Sequence, residues 1–238
     1  FGMPMDDAGR LKGGSRRYIM RAVEASLKRL NTDWIDLYQL HNYDPLTAIE
    51  ETLRSLDDLI RAGKVRYIGC SNLPAWRVVE AQWTAKAEHL NAFASCQDEY
   101  SLVVRDIEKD LMPAMEICGL SLLPYFPLAS GLLTGKYAHG AAMPEGARLS
   151  VTQRLADRYM TETNWRIVEG LRALAAKRGW STLDLAFSWL ASKPVVASVI
   201  AGATMPEQIE QNVKAVELKL TSDDLSEIDA ITARAKPA

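Results

Sequence analysis

The sequence predicts an α/β protein, a (β/α)8 TIM barrel carried by one domain over residues 1–238. Three observations predict it. Strand-like apolar runs alternate with amphipathic helical segments in units of about 25–30 residues, the signature of parallel βα repeats. The runs VRYIG and SVIAG do not alternate cleanly between apolar and polar, as befits strands covered on both faces. No strand-like run leads into Gly-x-Gly-x-x-Gly, so a doubly wound dinucleotide fold lacks its fingerprint and the barrel is favoured.

The elements follow in order. Residues 1–14 read as loop, and Ser15 caps a helix whose apolar face is Ile19, Ala22, Val23, Leu27 and Leu30. WIDLYQLH is the first strand. Thr47 and Glu50 have the spacing of a capping box for a helix bearing Ile49, Leu53, Leu56 and Ile60, which Gly63 ends. VRYIGCSN is the second strand, and Pro74 opens a helix towards Leu90. FASCQ, a helix from Asp106 to Gly119, and the strand LSLLPY come next. A segment from Phe126 to Thr161 reads as irregular, and loops of that length are often functional. Helices over 163–178 and 182–192 precede the fifth strand, SVIAGA. A helix capped by Thr204 and Glu207 and another over 222–234 close the chain.

Composition narrows the function classes. A net charge of −2 and a pI near 6.0 leave no broad basic surface, which argues against nucleic acid. No apolar run has the length of a membrane span, and FGMPMDDAGR lacks the basic-then-apolar layout of a signal peptide. Cys70, Cys96 and Cys118 are odd in number and lie in or beside apolar segments, so free thiols in a reducing cytoplasm are expected. His41, His89 and His139 show no ligand spacing, and no metal site is expected. A hydrolase or lyase would need paired rim carboxylates, a metal triad or a strand-end lysine, and none is found.

Barrel chemistry sits where strands end. The strands here end in His41, in Ser71 and Asn72, in Gln97, in Tyr125, and in Gly202 leading to Thr204. Each has a simpler reading taken singly. Asn72 could cap the helix after Pro74, Gln97 could serve loop backbone, and Tyr125 could be core. Together they suit one ligand. Amides and a hydroxyl can hold a carboxamide, an aromatic face can stack on a planar ring, and a helix start at Thr204 suits a phosphate. That set fits a nicotinamide dinucleotide, with His41 facing a small carbonyl substrate.

The motifs DWIDLYQLHNYDP, GKVRYIGCSN, QDEYSL, PYFPLASGLLTGKY and AGATMPEQIEQNVKA, in this order across nearly the whole chain, resemble the aldo-keto reductases. The likeness is nearest to the bacterial subgroup related to potassium-channel β-subunits. The resemblance implies NAD(P)H-dependent reduction of aldehydes or ketones. It implies that His41 orients the substrate carbonyl, that Ser71, Asn72 and Gln97 hold the carboxamide, and that Tyr125 stacks on the nicotinamide. Leu128, Ser130 and Lys136 correspond to pyrophosphate contacts, and Gly202, Thr204, Gln208, Gln211 and Asn212 to the segment holding the adenosine half.

Three departures accompany it. Met205 stands where many relatives carry a basic residue for the 2′-phosphate, so NADPH is expected with NADH kept open. Phe126 replaces a more common Ser. The family's tetrad is Asp, Tyr, Lys and His, and only His41 has its counterpart in the sequence. Phe1 aligns just past the lysine. The expectation is thus a partial barrel, with strands 4 to 8 present and the first three βα units supplied by a longer protein. The competing readings are a truncated, degenerate reductase and a catalytically inactive cofactor-binding barrel acting as a partner or sensor subunit.

Overall fold

The structure, a computed structural model, describes residues 1–5 and 9–233. They form two compact units. The first comprises Phe1–Asp98 with Ile107–Leu123, and the second Glu99–Asp106 with the residues from Pro124 onward.

The first unit holds the sheet. Its elements are α1 (Arg16–Leu30), β1 (Ile35–Leu40), α2 (Ile49–Arg61), β2 (Val65–Ser71), α3 (Ala75–Ala87), β3 (Ser95–Gln97), α4 (Leu111–Cys118) and β4 (Ser121–Leu122). All strand pairs are parallel, in the order β1-β2-β3-β4. Crossovers between parallel strands are right-handed, so strands added always in one direction put their helices on one face. Accordingly α1 packs on α2, α2 on α3 and α3 on α4. This is the winding of a barrel and not of a doubly wound sheet.

Register sorts the side chains. Leu40, Cys70, Cys96 and Leu122 form one row across the four strands and are all buried. By the period of two, Gln39, Gly69, Ser95 and Ser121 form a row facing the other way, as do Ser71 and Gln97. Towards the C-terminal ends of the strands one face is therefore apolar and the other polar, whereas Ile35, Leu37, Val65 and Tyr67 occupy the second face further back. The alternation is hidden in the sequence of β2 because Gly69 and Ser71 are small, which made the strand read as apolar throughout.

The second unit is helical: α5 (Arg148–Val151), α6 (Gln153–Tyr159), α7 (Glu162–Arg178), α8 (Thr182–Ala191), α9 (Pro206–Ala215) and α10 (Ser222–Thr232). Its core gathers Tyr100, Leu132, Tyr137, Tyr159, Ile167, Leu185, Trp189 and Ile228, with the Tyr100 and Trp189 rings 4.9 Å apart.

Five expectations need correction. SVIAGA is not a strand: Ile200 N donates to the Pro124 carbonyl at 2.9 Å, but no ladder forms, and four strands are found among the described residues. LSLLPY is a strand only over Ser121–Leu122, because Pro124 has no N–H to extend the pairing. Residues 126–161 are not wholly irregular, since a 3-10 turn at Ala129–Thr134, α5 and α6 lie within them. The capping boxes at Thr47 and Thr204 do not form. Thr47 Oγ1 instead donates to Asp44, and Ala48 and Met205 occupy the N-cap positions. Boxes form at Ser181–Asp184 and Thr221–Asp224, where the side chain and the third residue satisfy each other's backbone N–H. Asp106 begins a 3-10 turn, and the following helix takes Asp110 as its N-cap.

Candidate active site

In the first unit the strand ends build an interlocked polar row. His41 and Ser71 each stand one residue beyond the paired Leu40 and Cys70, and Ser71 pairs with Gln97. The His41 backbone is pinned on both sides: its N–H donates to the Phe1 carbonyl at 2.8 Å, and its carbonyl accepts from Asn72 Nδ2 at 3.0 Å. Phe1 N in turn donates to the Gln39 carbonyl, and the Phe1 ring stacks on Tyr38 at 4.9 Å. The His41 side chain itself is exposed.

The two amides are oriented by their neighbours. Asn72 Nδ2 also donates to Ser71 Oγ at 2.9 Å, and Ser71 Oγ donates to the Gln97 carbonyl at 2.6 Å. Gln97 Oε1 accepts from Gln39 Nε2 at 2.8 Å. The Asn72 amide is thereby fixed by His41 and Ser71. With Oε1 committed, Gln97 offers the Nε2 donor. Amide and hydroxyl groups between them donate and accept, as a carboxamide requires, so these residue types fit the nicotinamide end of the cofactor. The capping reading of Asn72 is set aside, because Pro74 is the N-cap of α3 and the Asn72 side chain points back to His41 and Ser71.

The loop after β1 is stitched by Asp44. Its carboxylate accepts from Gly14 N at 2.8 Å, Leu46 N at 3.0 Å and Thr47 Oγ1 at 2.7 Å. Burial raises the Asp44 pKa, but these donors and Arg77 outweigh it and hold the carboxyl below its usual range. Glycine is required opposite it: a Cβ on Gly13, whose φ is +88°, would meet Asp44 Oδ2 at 2.4 Å. Tyr43 is turned to Trp76 and Arg77, edge-on to the indole at 5.9 Å with the guanidinium over its ring.

In the second unit Tyr125 bridges in parallel to Glu99. Phe126 has φ +52° and lies edge-on to Tyr125 at 5.4 Å and to Tyr159 at 6.3 Å, with Arg148 over its face. This gives the unusual Phe126 a structural role as a spacer between two tyrosines. Tyr159 donates to Glu99 Oε1 at 2.5 Å, and Arg158 pairs with the other oxygen. Burial, and then Glu99, push the Tyr159 hydroxyl pKa up.

The segment expected to hold the pyrophosphate is conformationally distinctive. Ala129, Ser130 and Gly131 take positive φ of 46°, 57° and 98° in succession. The Ala129 N–H donates to the Phe126 carbonyl at 2.9 Å and the Gly131 N–H to the Leu128 carbonyl at 2.8 Å, which closes the turn. Ser130 Oγ is buried and has no partner among the described residues. Lys136 folds back over Gly131, where a Cβ would meet its Nζ at 3.1 Å. Leu128 is the residue before this turn. These observations fit an anionic group. Gly202, Thr204 and Gln211 are exposed, whereas Gln208 and Asn212 are half-buried. Gln208 Oε1 accepts from Thr204 N at 2.8 Å, so its carbonyl closes the α9 entry.

Sequence reasoning missed Gln39, Asp98 and Glu99. Asp98 is 7% exposed, accepts from Asn72 N at 3.2 Å, and has its pKa pushed up to about 7 by burial. The only available signal was a carboxylate directly after a strand-end amide. Among the described residues no cluster of His, Cys, Asp and Glu could hold a metal, and no helix is long and apolar enough to cross a membrane.

Residues 4–233 match the sequence profile of the Aldo/keto reductase family. The chain is 38% identical over 231 residues to a rice (Oryza sativa subsp. japonica) protein named "Probable voltage-gated potassium channel subunit beta", covering 95% of this chain and 70% of that one. It is 35% identical over 233 residues to Protein tas of Escherichia coli, covering 91% and 67%. It is 33% identical over 219 residues to versiconal hemiacetal acetate reductase of Aspergillus parasiticus, covering 91% and 62%. The chain spans about two thirds of the length of the curated relatives it matches.

Proposed function

The chain belongs to the aldo/keto reductase family, and from that premise we propose that the whole protein is an oxidoreductase reducing aldehydes or ketones to alcohols with NAD(P)H. The observation that carries this reading is the row His41, Ser71, Asn72 and Gln97 at the ends of β1, β2 and β3, with both amides held by hydrogen bonds to their neighbours. When bound, the nicotinamide supplies a hydride. Asn72 and Gln97, with Ser71, hold the carboxamide, and His41 orients the substrate carbonyl and stabilises charge developing on its oxygen. Tyr125 stacks on the ring. Ser130, with Leu128 and Lys136 beside it, takes the pyrophosphate, and Gly202, Thr204, Gln208, Gln211 and Asn212 take the adenosine half. The substrate is a small carbonyl compound.

NADPH is the proposed cofactor, with NADH admitted because Met205, exposed at the N-cap of α9, brings no positive charge to a 2′-phosphate. Fluorescence titration of the full-length protein with each tests this. Comparable affinities are expected, and Met205→Arg should shift the ratio towards NADPH by about ten-fold. Failure to bind either cofactor would refute the reading.

A second reading has its own support in the identity to proteins named as channel β-subunits: a cofactor-binding subunit without turnover. Tight cofactor binding with no reduction of any of a panel of aromatic and aliphatic aldehydes would favour it.

A further inference from the structure

We propose that Asp98 is a positioning residue for the nicotinamide end of the site, acting through the Asn72 backbone. The inference rests on the cofactor reading above and adds a residue to it. The β2–β3 ladder ends at the Ser71–Gln97 pair, and the Gln97 carbonyl is taken by Ser71 Oγ at 2.6 Å. Asn72 then turns into the left-handed region with φ +56°, which an Asn tolerates better than most residues. Its N–H, leaving the ladder, is received by Asp98 Oδ1 at 3.2 Å. From that fixed turn the Asn72 side chain reaches the His41 carbonyl at 3.0 Å and Ser71 Oγ at 2.9 Å.

A carboxyl is costly to bury, and this one is 7% exposed. Asp98 belongs to no described ion pair, so its burial is not explained by charge pairing. Its placement is explained if holding Asn72 is what it does. The raised pKa agrees with this, since a protonated carboxyl still accepts through its carbonyl oxygen. The same geometry predicts that an amide can substitute. Asp98→Asn keeps an acceptor at the same reach, whereas Asp98→Ala leaves the Asn72 N–H without one.

The test compares two ligands on the full-length protein by calorimetric titration: NADPH, and 2′-phospho-ADP-ribose, which lacks the nicotinamide. Asp98→Ala should weaken NADPH by about ten-fold and leave the nicotinamide-free ligand within about two-fold. Asp98→Asn should bind both within about two-fold of wild type. Should Asp98→Ala not fold, Asp98→Ser poses the same question, its hydroxyl being too short to reach. Equal loss on both ligands would mark Asp98 as merely structural and overturn the proposal. Wild-type affinity for NADPH in Asp98→Ala would overturn it while leaving the cofactor reading intact. If wild type binds neither ligand, the cofactor reading fails and the role of Asp98 fails with it.

Discussion

The strand ends of the first unit and the Leu128–Lys136 segment of the second solve the same problem in opposite ways. Each presents polar groups that are proposed to hold a cofactor. In the first unit, Gln39, Ser71, Asn72, Gln97 and Asp98 hold each other across three strands, so their orientations are set before any ligand arrives. In the second, three successive residues take positive φ, and Ser130 Oγ is buried without a partner among the described residues. The first is a network whose members depend on one another. The second is a shaped backbone with a side chain that does little for the fold. The difference teaches where a substitution should cost stability and where it should cost only binding.

The largest expected effect breaks the network from beneath. Gly69 lies in the polar row between Gln39 and Ser95, and a Cβ there would meet Ser95 Oγ at 2.7 Å and Gln39 Oε1 at 3.1 Å. Gly69→Ala should therefore displace Gln39, release Gln97, and cost about 2–3 kcal/mol in urea unfolding. An unchanged denaturation midpoint would show that the row is not interdependent.

A pH series is expected to show a smaller change. Burial raises the Asp98 pKa from 3.8 to about 7, so between these values the folded state holds a proton that the unfolded state releases. Stability should fall as pH rises across that window and level off above it. Asp98→Asn should remove this slope. A slope unaltered in the variant would mean that Asp98 is not its source.

The smallest effect belongs to the second unit. Ser130→Ala removes a buried hydroxyl without a described partner and should leave stability within about 0.5 kcal/mol, while weakening cofactor several-fold. A loss of stability comparable to that of Gly69→Ala would erase the contrast between the two regions.

Much of this was legible in the sequence, for reasons that also explain what was not. Strands β1 and β2 announced themselves through β-branched and aromatic runs, and parallel pairing then made residues at their ends neighbours, so His41, Ser71, Asn72 and Gln97 could be picked from the pattern. SVIAGA has the same local character, but a strand needs a partner, and Pro124 denies the ladder one of its donors. Thr47 and Thr204 had the right spacing for caps. Asp44 and Gln208 outcompeted the helix ends for them, which spacing does not show. Asp98 was invisible because surface and buried carboxylates look alike until the turn at Asn72 is placed. The sign of φ at Ala129 and Ser130 was equally hidden, since neither residue type announces a left-handed backbone.

The central claim is that His41 serves chemistry on a carbonyl while the amides of β2 and β3 hold the cofactor. The most direct measurement is steady-state, NADPH- or NADH-dependent reduction of an aromatic aldehyde by the full-length protein and by His41→Ala, with cofactor affinity measured on both. Turnover in wild type that falls about 100-fold in the variant, at unchanged cofactor affinity, is the predicted result. Equal turnover in the two proteins, or cofactor affinity lost together with turnover, would contradict it.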